Sequence, residues 1–321
     1  MEIQGIVMEA IENTPQAKLP HFPIMFFAST MGIGGLALCY RQLAQLFHWN
    51  ELIGTLLMLL DTAIFAVLLF FYGMKLLRYP QAVKAELMHP IKINFFGALT
   101  ISAFLLSALW QCSILFYIVL AIQTIFTFYV ITSWINRDYA ITIANPAWFI
   151  PVAGNLIVPV ISPEKGLLSW YYFSVGLFFW AALFAMIFYR LIFHERLMEK
   201  FMPTLFILFA PPAIAFVGYT KMINSIDTLA LVILNITVFF VGMAAFMFRN
   251  FLGLRFALSW WAFTFPLAAA TLAFLRAYHL LLAPFFLYMS IFTFVLLILF
   301  VLLVSQRTIR AILLGNICRP E

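Results

Sequence analysis

Charge is what this sequence has least of. Charged residues make up 9% of 321, while apolar residues are 65% and the mean hydropathy is +1.07. A soluble globular chain carries about 25% charged residues. No single core could hide this much apolar surface from water, so the composition excludes a soluble domain and makes lipid the solvent. Cysteine is also scarce. Cys39, Cys112 and Cys318 have no CxxC or Cys/His spacing, which excludes a disulfide framework and a zinc site. The five histidines (His21, His48, His89, His194 and His279) fall in loops or at the edges of apolar stretches. No convergent acid, base and nucleophile set points to an enzyme, and no cofactor is expected. The net charge of +6 is spread over short loops, which excludes a nucleic-acid footprint. The N-terminus lacks the basic, apolar, small-residue order of a cleaved signal, so the first apolar stretch is expected to stay as a membrane span.

What is present is a series of ten apolar stretches: 21–41, 51–75, 91–110, 113–135, 146–162, 167–193, 202–219, 226–248, 256–276 and 283–305. About 20 apolar residues make one helical crossing. Proline divides them into two alternating kinds. The odd stretches carry or open with it: Pro20 and Pro23; Pro90; Pro146, Pro151 and Pro159; Pro203, Pro211 and Pro212; Pro266. The even stretches have no internal proline, and only Pro284 stands at the start of the last. Proline removes a backbone donor and clashes with the preceding turn. Lipid cannot satisfy the freed carbonyl, so such backbone must be buried in protein or face a wet cavity.

The expected fold is an all-α integral membrane protein. Ten transmembrane helices form five parallel helical hairpins, with a quasi-fivefold inner ring of broken helices around a central pore. On this scheme fourteen of the 18 basic residues fall on one side, and Arg41, Lys165, Lys221 and Arg276 on the other. Basic loops stay in the cytoplasm. The expected organisation is therefore a cytoplasmic tail over 1–20, a channel domain over 21–305 and a cytoplasmic tail over 306–321, in the cell inner (plasma) membrane.

The broken stretches hold almost no charge. A path for protons or sodium would show carboxylates or histidines at mid-depth. Here the polar inventory is hydroxyls and amides: Ser29, Thr30, Asn94, Thr100, Ser102, Asn155, Thr204, Ser259 and Thr264. A pore without fixed charge binds loosely, as rapid conduction requires. Gly34, Thr100, Asn155, Pro212, Thr264 and Pro266 are the expected pore-lining residues. Lys92 and Arg255 at one mouth and Arg276 at the other either favour anions or are snorkelling flanks. Asp61, inside the second stretch, is either a proton-coupling group or a protonated structural one. In the ninth stretch Pro266 is expected to break the helix near Ala262. Phe265 stands at that break, either as a ring that closes a narrow pore or as ordinary packing.

Three motifs then carry a resemblance: His89-Pro-Ile-Lys-Ile-Asn-Phe-Phe-Gly-Ala, Ala144-Asn-Pro-Ala-Trp-Phe-Ile-Pro-Val-Ala-Gly-Asn, and Ser259-Trp-Trp-Ala-Phe-Thr-Phe-Pro. With the glycine-rich first stretch and Ala210-Pro-Pro-Ala, their order and spacing over residues 20–305 resemble the tellurite-resistance/dicarboxylate transporter family, whose plant members include guard-cell slow anion channels. The resemblance implies a homotrimer with one pore per subunit, small inorganic anions as cargo, and Phe265 as the occluding gate. It also implies a second pore position near Phe104 and Leu105. Two functions remain: a gated channel for chloride or nitrate, and a proton-coupled transporter of dicarboxylates or tellurite-type oxyanions.

Overall fold

Winding, rather than composition alone, separates the two kinds of helix. The computed structural model describes residues 18–318; most of the expected N-terminal tail, and Arg319 in the C-terminal one, lie outside them. Among the described residues there are eleven α-helices and no strand. They are α1 (Phe27–Phe47), α2 (Glu51–Arg78), α3 (Pro80–Met88), α4 (Phe96–Leu109), α5 (Ser113–Ile135), α6 (Phe149–Ile161), α7 (Leu167–Phe193), α8 (Ala210–Ile223), α9 (Thr228–Phe246), α10 (Thr264–Leu281) and α11 (Pro284–Leu313). A 3-10 segment runs directly into each proline-bearing helix: Ile24–Phe26, Lys92–Phe95, Pro146–Trp148, Glu199–Phe209 and Leu258–Phe263. The smooth helices α2, α5, α7, α9 and α11 have none. Runs of 3-10 beyond three or four residues are uncommon. The eleven-residue one holds Pro203 and ends just before Pro211 and Pro212, three positions that cannot donate to an α-type bond.

Apart from Pro159, which lies inside α6, the α-helical prolines are placed where they cost least. Pro211 and Pro212 open α8, and Pro151 and Pro266 are third in α6 and α10, inside a first turn whose N–H groups have no helical partner anyway. Pro266 therefore does not kink a continuous α-helix at Ala262. The change of winding falls at Phe263–Thr264, and Pro266 lies just past it.

Nine helices among the described residues are long and apolar enough to cross a membrane, and the fifth expected stretch is the shorter apolar helix Pro146–Ile161. Its three prolines stretch its first turn into 3-10 geometry, so it still spans about 25 Å. The stretches otherwise match their expected positions, with α1, α10 and α11 running several residues further. α11 continues to Leu313, through part of the expected C-terminal tail. The link from Leu76 to Pro90 contains α3, where Lys75 Nζ meets Glu86 Oε2 at 2.9 Å and also donates to the Phe22 carbonyl at 2.8 Å.

Burial sorts the helices into two layers. Between 78% and 89% of the spans ending in α1, α4, α8 and α10 is buried, against 22% to 39% for α2, α5, α7, α9 and α11. α6 is buried almost throughout. α1 packs on α4, α4 on α6, α6 on α8, α8 on α10, and α10 back on α1, so the five close a ring. Each outer helix packs on its own hairpin partner and on the next inner helix round: α2 on α1 and α4, α5 on α4 and α6, and likewise to α11 on α10 and α1. The turns repeat too. α1, α4, α8 and α10 are followed by left-handed residues, His48 (φ 54°), Gln111 (φ 51°), Asn224 (φ 54°) and Leu282 (φ 53°). α6 ends at Ser162 instead, because the residue before a proline, here Pro163, is driven to extended backbone.

Candidate functional site

Two small cavities lie end to end inside the ring, and every inner helix contributes to both. The first has room of about 20 Å³. Ala28 and Met31 line it from α1, Ile101 from α4, Ile150 and Ala153 from α6, Ile207 and Ala210 from the α8 arm, and Leu258, Ala262 and Pro266 from the α10 arm. The second has room of about 30 Å³ and takes residues further along the same helices: Gly35 and Leu38, Leu105, Ile157 and Val160, Ile214 and Val217, Ala268 and Leu272. The five inner helices therefore all run the same way past the axis. Each space holds no more than a few waters, and apolar spaces of this size stay dry. The axis is closed, without a charged group along it. A larger, shallow groove of about 440 Å³ is lined by α9 residues alone and lies away from the ring.

Phe265 is the residue common to both linings. Its neighbours in sequence explain how it is aimed. Thr264 donates its hydroxyl to the Trp261 carbonyl at 2.8 Å and packs against Gly32 of α1. Trp261 Nε1 donates to Thr308 Oγ1 of α11 at 3.1 Å, and Ser259 donates to the Lys200 carbonyl. Phe263 is wedged among Phe206, Phe251 and Phe300. With its flanking residues fixed outward, Phe265 is left on the axial face. It meets small and aliphatic groups there: a Cβ built on Gly35 would lie 3.8 Å from its Cδ2 and 2.8 Å from the Ala268 Cβ.

Of the six residues expected to line a pore, Pro266 borders a cavity and the other five do not. Gly34 faces outward, where an added Cβ would come 2.7 Å from Asp61 Oδ2 on α2. The Thr100 hydroxyl is shared between the Gly97 carbonyl (3.0 Å) and Gln123 Oε1 of α5 (2.6 Å). Asn155 Nδ2 donates to Thr127 Oγ1 of α5 at 3.0 Å and to the Pro151 carbonyl at 3.1 Å. Thr264 is bonded as described, and Pro212 is buried in the first turn of α8. For Thr100, Asn155 and Thr264 the physical reason is common: in a dry bundle, hydroxyls and amides find partners on the backbone and on outer helices. Gln123, which sequence reasoning passed over, completes that lateral network through Nε2 to Thr127 Oγ1 and the Pro151 carbonyl, both at 3.1 Å. Gly154 makes room for it. At the second pore position Leu105 borders the cavity, while Phe104 packs on Phe116 of α5.

Asp61 is fully buried, and neither carboxylate oxygen has a hydrogen-bond partner among the described residues. It lies behind α1, against the backbone at Gly34, and not on the axis. The lining that sequence reasoning missed is aliphatic. Its signal was present as a helical stripe: Ala28, Met31, Gly35 and Leu38 in α1, and Ile207, Ala210, Ile214 and Val217 along the α8 arm, recur every three or four residues.

Comparison with known proteins gives the family. A family model described as voltage-dependent anion channel matches residues 21–309. The S-type anion channel SLAH3 of Arabidopsis thaliana is 26% identical over 305 residues, covering 85% of this chain and 47% of that protein. An uncharacterized transporter of Methanocaldococcus jannaschii is 25% identical over 285 residues, covering 78% of this chain and 83% of its own. The malic acid transport protein of Schizosaccharomyces pombe is 26% identical over 310 residues, 78% of this chain and 69% of that one. The chain spans about half the length of the plant relatives it matches.

Proposed function

Because the chain belongs to the voltage-dependent anion channel family, we propose that it is a gated anion channel whose path is the axis of the inner ring and whose closing element is Phe265. It conducts small inorganic anions such as chloride and nitrate. Ten helices cross the bilayer as five parallel hairpins, three copies assemble with one path each, and both termini face the cytoplasm of the inner (plasma) membrane. The observation that carries this reading is the position of Phe265, shared by two cavities that otherwise lie in line and draw on every inner helix. The path is lined by the aliphatic stripe together with Phe265 and Pro266, in place of Gly34, Thr100, Asn155, Pro212 and Thr264.

The chemistry follows from what the axis offers. Apolar walls bind no ion tightly and close by excluding water. A ring edge is electropositive and tolerates an anion better than a cation. Removing the Phe265 ring joins the two spaces. Phe265→Ala reconstituted in planar bilayers is expected to carry at least about tenfold more chloride current than wild type. Unchanged current from a folded Phe265→Ala protein rejects the gate.

The similarity to a malic acid transport protein favours a second reading, a proton-coupled carrier of dicarboxylates. That carrier needs a titratable group in the path, and Asp61 stands behind α1 instead. Asp61→Asn leaves passive currents intact on the channel reading. Loss of pH-driven malate uptake in liposomes, with reversal potentials that do not follow the chloride gradient, would support the carrier.

A further inference from the structure

Cations gather at the end of the ring beyond the second cavity. Arg41 comes three residues after the cavity-lining Leu38, Lys221 four after Val217, and Arg276 four after Leu272. At 3.6 residues per turn Lys221 and Arg276 sit one turn further along the same axial face, while Arg41 is turned towards α2, its Cγ 3.0 Å from where a Cβ on Gly54 would stand. Each is also held in place by the carboxyl end of a neighbouring inner helix. Arg41 Nη1 donates to the Leu109 carbonyl at 2.6 Å, Lys221 Nζ to the Val160 and Ser162 carbonyls at 2.7 and 3.3 Å, and Arg276 Nη2 to the Thr220 carbonyl at 3.0 Å. Lys165 follows α6 and is exposed, and Lys221 is within electrostatic reach of both Lys165 and Arg276.

Two of the acids at this end open outer helices, and the third, Glu164, lies in the turn after α6 beside Lys165. Glu51 opens α2, Asp227 caps α9, and Glu164 meets Tyr117 of α5. The Lys75–Glu86 ion pair is elsewhere, and among the described residues none of these four cations has a carboxylate partner. The capping contacts do not cancel the charge. A helix carboxyl end carries about half an elementary charge, so three capped ends leave roughly half of the Arg41, Lys221 and Arg276 charge uncompensated, before Lys165 is added. Arginine has five N–H donors and lysine three, and the backbone contacts use one or two of them on each residue.

We propose that this rim is an anion-binding site, distinct from the Phe265 gate, that holds a divalent oxyanion more tightly than chloride and obstructs the axis while occupied. The proposal deepens the anion-path reading and rests on it for the consequence of occupancy. Charge asymmetry puts the rim on the extracellular side. Coulomb attraction doubles with the charge of the ligand, and Lys221 and Arg276, anchored at an apolar mouth with Arg41 and Lys165 flanking them, focus that field.

The test uses sulfate as probe on the full-length protein in nanodiscs, with binding read by titration calorimetry. Wild type is expected to bind sulfate more tightly than chloride. Lys221→Met with Arg276→Gln weakens sulfate binding about tenfold, while the charge-retaining pair Lys221→Arg with Arg276→Lys keeps it within about threefold. Should the neutral pair fail to fold once its caps are gone, the exposed Lys165→Gln serves instead, with a loss of about threefold. Equal sulfate binding by wild type and the folded neutral variants overturns the site. In planar bilayers, sulfate added to the extracellular face of Phe265→Ala channels blocks chloride current, and the same dose on the cytoplasmic face does not. Equal block from both faces also overturns the site. Absence of any current with sulfate binding intact rejects the anion-path reading and leaves the binding site standing.

Discussion

Gly35 is the point where the fit of α1 to the proposed gate, Phe265, can be measured. An added methyl would lie 2.8 Å from the Ala268 Cβ. Two methyl carbons rest at about 3.5–4.0 Å, so Gly35→Ala demands that α1 and α10 part by about 1 Å. Overpacking of that kind costs about 1–3 kcal/mol. Ala268→Gly removes the opposing methyl. Alone it costs about 1–2 kcal/mol, from one buried carbon and the glycine penalty within a helix. If the clash is the cause, the double variant relieves it, and its loss is smaller than the sum of the singles by about 1–2 kcal/mol. Denaturant unfolding of the four proteins in one mixed micelle gives the coupling directly. Additive losses refute the close approach. The same cycle reads the gate: Gly35→Ala displaces the Phe265 contact 3.8 Å away, so single-channel openings change in Gly35→Ala and return towards wild type in the double variant.

Two further predictions concern the turns. Leu282 is 75% exposed and left-handed at φ 53°, a conformation that costs an L-residue about 1–2 kcal/mol and glycine little. Leu282→Gly is therefore expected to stabilise the protein by about 1 kcal/mol, and an unchanged or lower unfolding midpoint counts against that turn. Asp227 caps α9 through the Ala230 N–H at 2.9 Å and accepts the Tyr219 hydroxyl at 2.5 Å. The Tyr219 hydroxyl first, and the Ala230 N–H second, hold its carboxyl below the usual carboxylate range. A depressed acid stabilises the fold above its unfolded pKa, about 3.9, and that contribution fades as pH falls through the lower folded value. Melting temperature should drop on acidification below about pH 4, and less steeply in Asp227→Asn, which keeps the cap but has no charge to lose.

The layers were legible in the sequence because proline position is a backbone property. Wherever Pro146, Pro203 or Pro266 falls, the α-type ladder must change, and the chain can tolerate the change only inside protein; burial of those spans follows. The repeated left-handed turns were not legible. Gln111 and Leu282 are not residues that favour φ above zero, and their conformation is imposed by closing each hairpin in few residues. The lining of the two cavities was not legible for a different reason. Polar groups in Thr100, Asn155 and Thr264 were expected to face water, yet each reaches a nearer partner: Gln123 on α5, Thr127 on α5, and the Trp261 carbonyl one turn back. What remains for the axis is whatever has nothing to bond, namely the aliphatic stripe and Phe265. An axis without polar side chains has no group to select among anions by hydrogen bonding. Discrimination must then come from the cost of dehydration along the walls and from charge placed beyond them. The proposed path fits that demand, with Lys221 and Arg276 one turn outside the second cavity and the Phe265 ring lining both cavities.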